Sequence, residues 1–308
     1  MRTTRVWRNR GVAALAAASL LVGLGMQGAQ AAGRSVTKKT LAPGVVYEQI
    51  SDNSYPIREY ALLYDGSVVN AVIDQVLSAS QIGSPQRTSV IAANAGAIAG
   101  VNGDLTVWPA RPTHQYVRDG MPVQTSTPPG ISLGFRQDKR GATIHRSALK
   151  ISATNVAAKT TVAVSSWNRG LPTTDQVVGY TWYGGKYQRP QANQCSVRLS
   201  SPGKVRWNTG RDGTGRNYTV DAVRCSTSTP MTVNSTSTVV LSSKLVGTGA
   251  TWIRSLSIGS KVHVGWADGM PDAVNVVSGS ADVLENGVIQ YAANCSENLC
   301  LKNPRTAV

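Results

Sequence analysis

The segment Thr88-Ser-Val-Ile-Ala-Ala-Asn-Ala-Gly-Ala-Ile-Ala-Gly-Val-Asn-Gly-Asp104 combines a helical pattern with a strand pattern. Thr88 and Ser89 can cap a helix, and the alanine-rich run from Val90 to Gly96 is typical of one or two helical turns. The small apolar residues from Ala97 to Val101 then favour a strand. A helix that runs directly into a strand predicts a protein in which both kinds of element occur.

The rest of the chain is dominated by strand patterns. Short segments rich in alternating apolar or β-branched residues lie between clusters of glycine, proline, serine and threonine. These segments are Val45 to Ile50, Glu59 to Tyr64, Ser132 to Phe135, Ala142 to His145, Thr238 to Leu241 and Lys261 to Trp266. Helical spacing is confined to Val68 to Leu77, the stretch above, and Ala250 to Ser255. We therefore predict an α+β fold with a mixed, mostly antiparallel sheet and a few short helices.

Residues 1–31 have the three parts of a secretory signal peptide. Four arginines and no acidic residue precede an apolar run from Gly11 to Met26, and Ala29-Gln-Ala31 offers a cleavage site. The apolar run is shorter than the ~20 residues that span a bilayer. No later stretch is apolar enough to span one. We predict a secreted, extracellular protein with no integral membrane segment after cleavage, and a single domain over residues 32–308.

The basic residues exceed the acidic ones by 31 to 16 in a chain of 308 residues. Four of the basic residues belong to the predicted signal peptide, and the remainder are scattered rather than clustered. Nucleic-acid binders concentrate their charge and add stacking aromatic residues, so we predict no nucleic-acid partner. A diffuse positive charge suits an anionic wall polymer or a phosphorylated glycan, or serves solubility alone.

Four cysteines remain in the predicted mature chain. An even number in an exported protein indicates disulfides. Four cysteines allow three connectivities, and the one that joins nearest neighbours is Cys195–Cys225 and Cys295–Cys300. The three histidines lie far from both pairs in the sequence, at no spacing typical of a zinc site. We predict disulfides and no metal ligated by these residues.

The chain lacks the common catalytic motifs, including a nucleophile elbow, a zinc-protease helix and a Walker loop. Asn102 and Asp104 would share one face if the predicted strand continued, and Gly103 would allow a backbone or a substrate to approach closely. Such a pair suits acid/base chemistry or the binding of sugar hydroxyls. The same residues are also common in turns, which is the alternative interpretation. Near the C-terminus, Arg305 and Thr306 could bind a phosphate or could simply begin a strand.

These segments together resemble the signature of the phosphodiester glycosidase family. Members typically carry Ala-Gly-Val-Asn-Gly-Asp, as at Ala99 to Asp104, and Asn-Pro-Arg-Thr-Ala, as at Asn303 to Ala307. Further matching segments lie between and before these motifs: Gly44 to Glu48, Arg118-Asp-Gly120, Ser132-Leu-Gly-Phe135, and Trp252 to Val262. The resemblance covers most of residues 44–308.

The resemblance implies an exported hydrolase that cleaves the glycosidic bond of sugar-1-phosphodiesters in cell-wall or exopolysaccharide glycans. Asp104 would be the acid/base or electrostatic carboxylate, and Asn102 would orient the sugar or Asp104. Gly103 would belong to the substrate-binding residues with Asn102, and Arg305 would hold the phosphate with Thr306. Asn303 would support them. No cofactor is identified, although a divalent cation would be compatible with the family's chemistry.

This chain departs from the family pattern in three places. Leu105-Thr106 replaces a pair of aromatic residues, Ser278 to Asp282 replaces a glycine-rich segment, and relatives continue beyond the position of Val308. We therefore predict a domain that is incomplete at its C-terminal end. The departures also support an alternative function, a non-catalytic protein that binds anionic glycans at the cell surface.

Overall fold

A computed structural model describes most of the chain after the predicted signal peptide. The described residues are 33–54, 57–68, 71–78, 81–104, 106–107, 111–126, 130–136, 138, 140–185, 188–203, 214–226, 228–267, 269–270, 272–279, 284–285 and 288–289. The predicted signal peptide and the predicted Cys295–Cys300 disulfide lie outside these residues.

Regular structure in the described residues consists almost entirely of strands. The helices are α1 (Thr88–Asn94), α2 (Thr248–Arg254) and one 3-10 turn (Trp182–Gly184). The strands are β1 (Arg34–Ala42), β2 (Val45–Asp52), β3 (Ile57–Tyr64), β4 (Thr106–Val107), β5 (Arg111–Pro112), β6 (Tyr116–Arg118), β7 (Met121–Gln124), β8 (Gly130–Arg136), β9 (Ala142–Ser147), β10 (Lys150–Asn155), β11 (Thr160–Trp167), β12 (Val177–Thr181), β13 (Gln194–Ser200), β14 (Thr214–Ser226), β15 (Thr238–Lys244), β16 (Lys261–Ala267), β17 (Ala273–Gly279), β18 (Leu284–Glu285) and β19 (Val288–Ile289).

The predicted α+β fold is wrong, because the protein is mostly β with a closed seven-stranded barrel. Residues 71–77 form no helix. Tertiary hydrogen bonds hold that segment instead: Tyr64 Oη donates to Ala71 O at 3.0 Å, and Asn275 Nδ2 donates to Asp74 Oδ1 at 3.2 Å. Tertiary contacts therefore override the apolar spacing of helical period, one between residues seven apart and one between residues 201 apart.

A closed barrel is the largest element of the fold. Its strand order is β10-β11-β12-β15-β13-β14-β16, closed by β16 pairing with β10, and every pair is antiparallel except β11 with β12. Buried aliphatic and aromatic side chains from most of these strands fill the interior, among them Leu199, Tyr218 and Leu241. The disulfide between Cys195 and Cys225 joins directly opposed residues of β13 and β14, which confirms the first predicted pairing.

A five-stranded antiparallel sheet lies beside the barrel in the same compact unit, which comprises residues 39–47 and 62 onward. Its order is β7-β6-β17-β8-β9, so the late strand β17 occupies the centre. Sheet and barrel share one hydrophobic core, to which Val117 and Val276 of the sheet contribute. The second compact unit comprises residues 33–38 and 48–61, and strands β1, β2 and β3 form a three-stranded sheet in that order.

The edge strand β7 is joined to the barrel by the end of β11. Trp167 Nε1 donates to Pro122 O at 3.0 Å, and the Trp167 amide donates to Thr125 Oγ1 at 2.9 Å. The side chain of Asn168 is completely buried, and its Nδ2 donates to Val123 O at 2.8 Å. These bonds fix the chain that follows β11 against the sheet.

None of the helices that the structure describes has the length and apolar character needed to cross a membrane.

Candidate active site

The candidate site is built around Asp104, which ends the irregular segment after α1. Its side chain is only 3% exposed, and both carboxylate oxygens bind one residue: Oδ2 accepts from the His114 amide at 2.5 Å, and Oδ1 lies 2.8 Å from His114 Nδ1. Because an ionised carboxylate can only accept hydrogen bonds, Nδ1 carries the hydrogen of the neutral ring. Asp104 therefore fixes both the position and the tautomer of His114.

The second ring nitrogen of His114, Nε2, is not engaged by Asp104. Nε2 makes no hydrogen bond to the described residues, and the side chain is 16% exposed. The ring lies against the backbone where β8 begins, and a Cβ on Gly130 would come within 3.2 Å of His114 Cδ2. This glycine lets the imidazole pack against the end of the sheet, which restricts rotation of the ring.

Gly103 is the second close approach at this end of the sheet. A Cβ at that position would lie 2.9 Å from Val277 Cγ2 on β17. A side chain there would require Val277 or the Gly103 backbone to shift. Gly103 thus allows β17 to approach the segment that carries Asp104 closely, and its role in substrate binding stays a prediction.

Two arginines provide positive charge at the site. Arg169 follows the β11–β7 junction, and its Nη1 donates to Thr113 O, next to His114. Burial lowers the pKa of Arg169, the charge of Arg111 lowers it further, and the Asp104 carboxylate raises it. Arg111 Nε is buried without a hydrogen-bond partner among the described residues. The two guanidinium groups and Asp104 therefore lie close enough to interact electrostatically.

The site therefore contains one carboxylate and two guanidinium groups among its described residues. With His114 neutral, their charges sum to a single positive charge. A guanidinium with a buried, unpaired N–H is a strong donor to oxyanions, and arginine forms geometrically specific pairs with phosphate and carboxylate. The arrangement can bind a monoanionic group beside a histidine that is set up to accept a proton.

The structure places the sequence-predicted residues as follows. Asp104 is at the centre of the site, and Asn102 and Gly103 directly precede it as exposed residues. The predicted strand over Ala97 to Val101 is wrong, because the segment is irregular, so the expected shared strand face of Asn102 and Asp104 does not form. Asn303, Arg305 and Thr306 lie outside the described residues. Within the described part of the chain, no cluster of three or more metal-ligating residues occurs.

Sequence reasoning missed His114, Arg111 and Arg169. The first two belong to the short segment Arg111-Pro-Thr-His114, which follows Asp104 closely and could have been noted as a basic group beside a candidate acid. Arg169 comes from the far end of a barrel strand, and only the tertiary fold brings it to the site.

A separate groove of about 740 Å³ lies on the barrel between β11 and α2. Exposed threonines line much of it, and Asp175 is its one titratable residue. Asp175 Oδ1 accepts from the Thr248 amide at 2.7 Å, as a cap on the start of α2. Among the described residues that line the groove, the carboxylate of Asp175 is thus already engaged by the start of α2.

No protein-family model matches the chain, and no curated protein sequence matches it. Two solved structures have a similar fold. A crystal structure of a hypothetical protein from Synechocystis has a TM-score of 0.61 at 12% identity, covering 84% of this chain and 46% of that one. The crystal structure of a "Putative exported protein" from Burkholderia pseudomallei K96243 has a TM-score of 0.54 at 16% identity, covering 80% of this chain and 72% of that one. This chain thus spans about half the length of the Synechocystis protein, and at these identities the likeness shows the fold alone.

Proposed function

We propose that the protein is an exported hydrolase that cleaves the glycosidic bond of sugar-1-phosphodiesters in cell-wall or exopolysaccharide glycans. The observation that carries the proposal is the buried Asp104–His114 pair beside Arg111 and Arg169. The resemblance of residues 99–104 and 303–307 to the phosphodiester glycosidase signature supports the same reaction.

In this reaction, His114 acts as the general base. A water molecule attacks the anomeric carbon and gives its proton to His114 Nε2, while Asp104 stabilises the imidazolium that forms. The bond between the anomeric carbon and the phosphate oxygen breaks, and its electron pair leaves with the phosphate. The products are a free sugar and a phosphate monoester, and the proton then passes from His114 to solvent.

Arg111 and Arg169 bind the phosphate of the substrate and stabilise it as it leaves. A phosphodiester carries one negative charge, which matches the single positive charge of the described site. Charge builds up on the departing phosphate in the transition state, so these contacts strengthen where they accelerate the reaction. A phosphate of this kind is a good leaving group, which is why one basic histidine is sufficient for proton transfer.

Export is supported by the signal-peptide pattern of residues 1–31 and by the naming of one structural neighbour as an exported protein. The disulfide Cys195–Cys225 is of the kind that persists in oxidising compartments outside the cytosol.

The test is release of free sugar from synthetic methyl phosphodiesters of hexose-1-phosphates and N-acetylhexosamine-1-phosphates, run in ¹⁸O-labelled water. Cleavage at the anomeric carbon places the label in the sugar, whereas attack on phosphorus places it in the phosphate. We expect His114→Gln and Asp104→Asn each to lower kcat by about 10²–10⁴-fold, the usual range for loss of acid/base catalysis. His145→Gln, at an exposed histidine on β9, is the matched control and should retain activity.

The variant Arg169→Gln tests phosphate binding separately from proton transfer by His114. Because charge-assisted hydrogen bonds contribute about 1.5–3 kcal/mol, kcat/KM should fall by about 10–100-fold. Label recovered in the phosphate, or full sugar release by His114→Gln, contradicts the proposal.

The second candidate function is non-catalytic binding of anionic glycans. It is favoured by the fact that both oxygens of the nearly buried Asp104 carboxylate are already occupied by His114. Binding of the methyl phosphodiesters that depends on Arg169, with no sugar released on any substrate of the panel, supports this second function and refutes the first.

A further inference from the structure

We propose that Gln124 is a positioning residue that clamps the segment Pro112–His114 and so holds His114 in register with Asp104. Only the expected loss of kcat rests on the proposed function, because the hydrogen bonds made by Gln124 are a property of the fold.

Gln124 lies at the end of β7 and is completely buried. Its Nε2 donates to Pro112 O at 2.5 Å and to His114 O at 3.0 Å. A side-chain amide nitrogen has two hydrogens, so these two bonds use its full donor capacity. The two carbonyls also fix the orientation of the amide, since the reverse orientation would direct its oxygen at two acceptors.

The carbonyl between these two is held by a different side chain. Thr113 O accepts from Arg169 Nη1, and the His114 amide donates to Asp104 Oδ2. Three consecutive carbonyls and one amide of this segment are thus bound by side chains from three separate parts of the chain. The paired strand β5 ends at Pro112, so ladder hydrogen bonds do not hold the backbone of His114. The clamp replaces them.

Gln124 would be an unfavourable choice for core filling alone. Its Oε1 is buried without a hydrogen-bond partner among the described residues. A buried polar atom left unpaired costs free energy that an apolar side chain of similar volume would avoid. A role for Nε2 in holding Pro112 and His114 explains why glutamine stands at this position.

The rotation of the His114 ring depends on this backbone. If the segment moves, His114 Nδ1 and the His114 amide leave the Asp104 carboxylate together, because both bonds come from one residue. The Nδ1–H tautomer then loses the acceptor that selects it, and the ring samples both tautomers. A misplacement of about 1 Å in a catalytic group lowers a rate by up to about 10²-fold.

The test combines ¹⁵N spectra of the histidine rings with kinetics on Gln124→Met in the full chain. The wild-type His114 ring should show the Nδ1–H tautomer. In Gln124→Met, the signal should move toward the average of both tautomers, and kcat should fall by about 10–100-fold with KM changed less than threefold. Gln194→Met removes a buried glutamine of the barrel and should leave the His114 signal unchanged.

Gln124→Glu is the second variant in case methionine prevents folding. It keeps the volume of the side chain but has at most one donor, so the Nδ1–H tautomer should again be depleted. An unchanged tautomer signal in either folded variant overturns the clamp, whatever the sugar-release assay gives. Depletion of the tautomer in a wild-type background that releases no sugar upholds the clamp and refutes the proposed function.

Discussion

Replacing Gly179 by alanine would place a methyl group inside the indole of Trp167. Gly179 lies in the centre of β12, and a Cβ there would be 2.1 Å from Trp167 Cε3 and 2.4 Å from Cζ3. Carbon atoms in contact lie about 3.5–4.0 Å apart, so the indole or the strand must move by about 1.5 Å. The backbone of Gly179 has no positive φ, so the change tests this contact and not backbone strain.

The indole has no room to move. Trp167 is completely buried, and its Nε1 donates to Pro122 O at 3.0 Å. Overpacking costs about 1–3 kcal/mol or more, and loss of the indole hydrogen bond adds about 1 kcal/mol. We therefore expect Gly179→Ala to lower the free energy of unfolding by about 3–4 kcal/mol. Arg169 follows Trp167 by two residues, so binding of anions at the site should weaken as well.

Urea unfolding followed by circular dichroism measures the change. Gly279→Ala is the control, since a Cβ at Gly279 meets no atom within 4 Å, and its effect should stay within about 0.5 kcal/mol. In combination with Trp167→Leu, the Gly179→Ala change should cost less than it does alone, because the clash has been removed. Two results would contradict a clash between the new methyl group and the Trp167 indole. One is a free energy of unfolding for Gly179→Ala within 0.5 kcal/mol of wild type, and the other is strict additivity in the double variant.

Three further changes have defined outcomes. Serine at both Cys195 and Cys225 should lower the free energy of unfolding in urea by about 3.5 kcal/mol, since the bond spans 30 residues and restricts the unfolded chain. Asp175→Ala should lower it by about 2–3 kcal/mol, of which about 1 kcal/mol comes from loss of the cap on α2 and about 1–2 kcal/mol from strain of alanine at the left-handed φ of 66° that Asp175 adopts. Asp175→Asn should retain most of the stability, because the amide oxygen still accepts and asparagine tolerates this φ. The Arg136 guanidinium lowers the pKa of the exposed Asp138 carboxyl to about 2 from an ordinary 3.8. Its contribution to stability is therefore present above about pH 4 and lost as the pH falls toward 2. A carboxyl ¹³C titration should show this pKa rising toward its ordinary value when Arg136 is replaced by glutamine, while the backbone hydrogen bonds from Arg140 and Gly141 still lower it.

Local patterns predicted six of the strands, but neither the other strands nor their arrangement. Val45 to Ile50 and Thr238 to Leu241 lie in strands as predicted, because alternation and β-branching are properties of neighbouring residues. The segment from Val68 to Leu77 was predicted as a helix from spacing alone, whereas its described residues bond to the nearby Tyr64 and to Asn275, which is distant in sequence. Closure of the barrel depends on pairings such as β14 with β16, which no local pattern encodes.

The candidate site likewise combines a residue that the sequence predicted with residues that only the fold brings together. Asp104 stands out in the sequence because Asn102 and Gly103 precede it in a recognisable motif. His114 becomes its partner only through a bend that brings its amide and its ring to one carboxylate. Arg169 and Gln124 reach the site from β11 and β7, which adjoin through the Trp167 contacts. Only tertiary packing brings Arg169 to Thr113 and Gln124 to His114.

Because β17 lies at the centre of the five-stranded sheet, this sheet cannot be completed until β17 has been synthesised. Strands β6 to β9 are synthesised before the barrel, and β17, which separates β6 from β8, is synthesised after it. The barrel is therefore an insertion within the sheet, and the sheet has a gap at its middle until nearly 280 residues have emerged. Pairings of such long sequence separation form late and slowly. Since Gly103 packs closely against Val277 of β17, the segment that carries Asp104 lacks this neighbour until β17 has been synthesised.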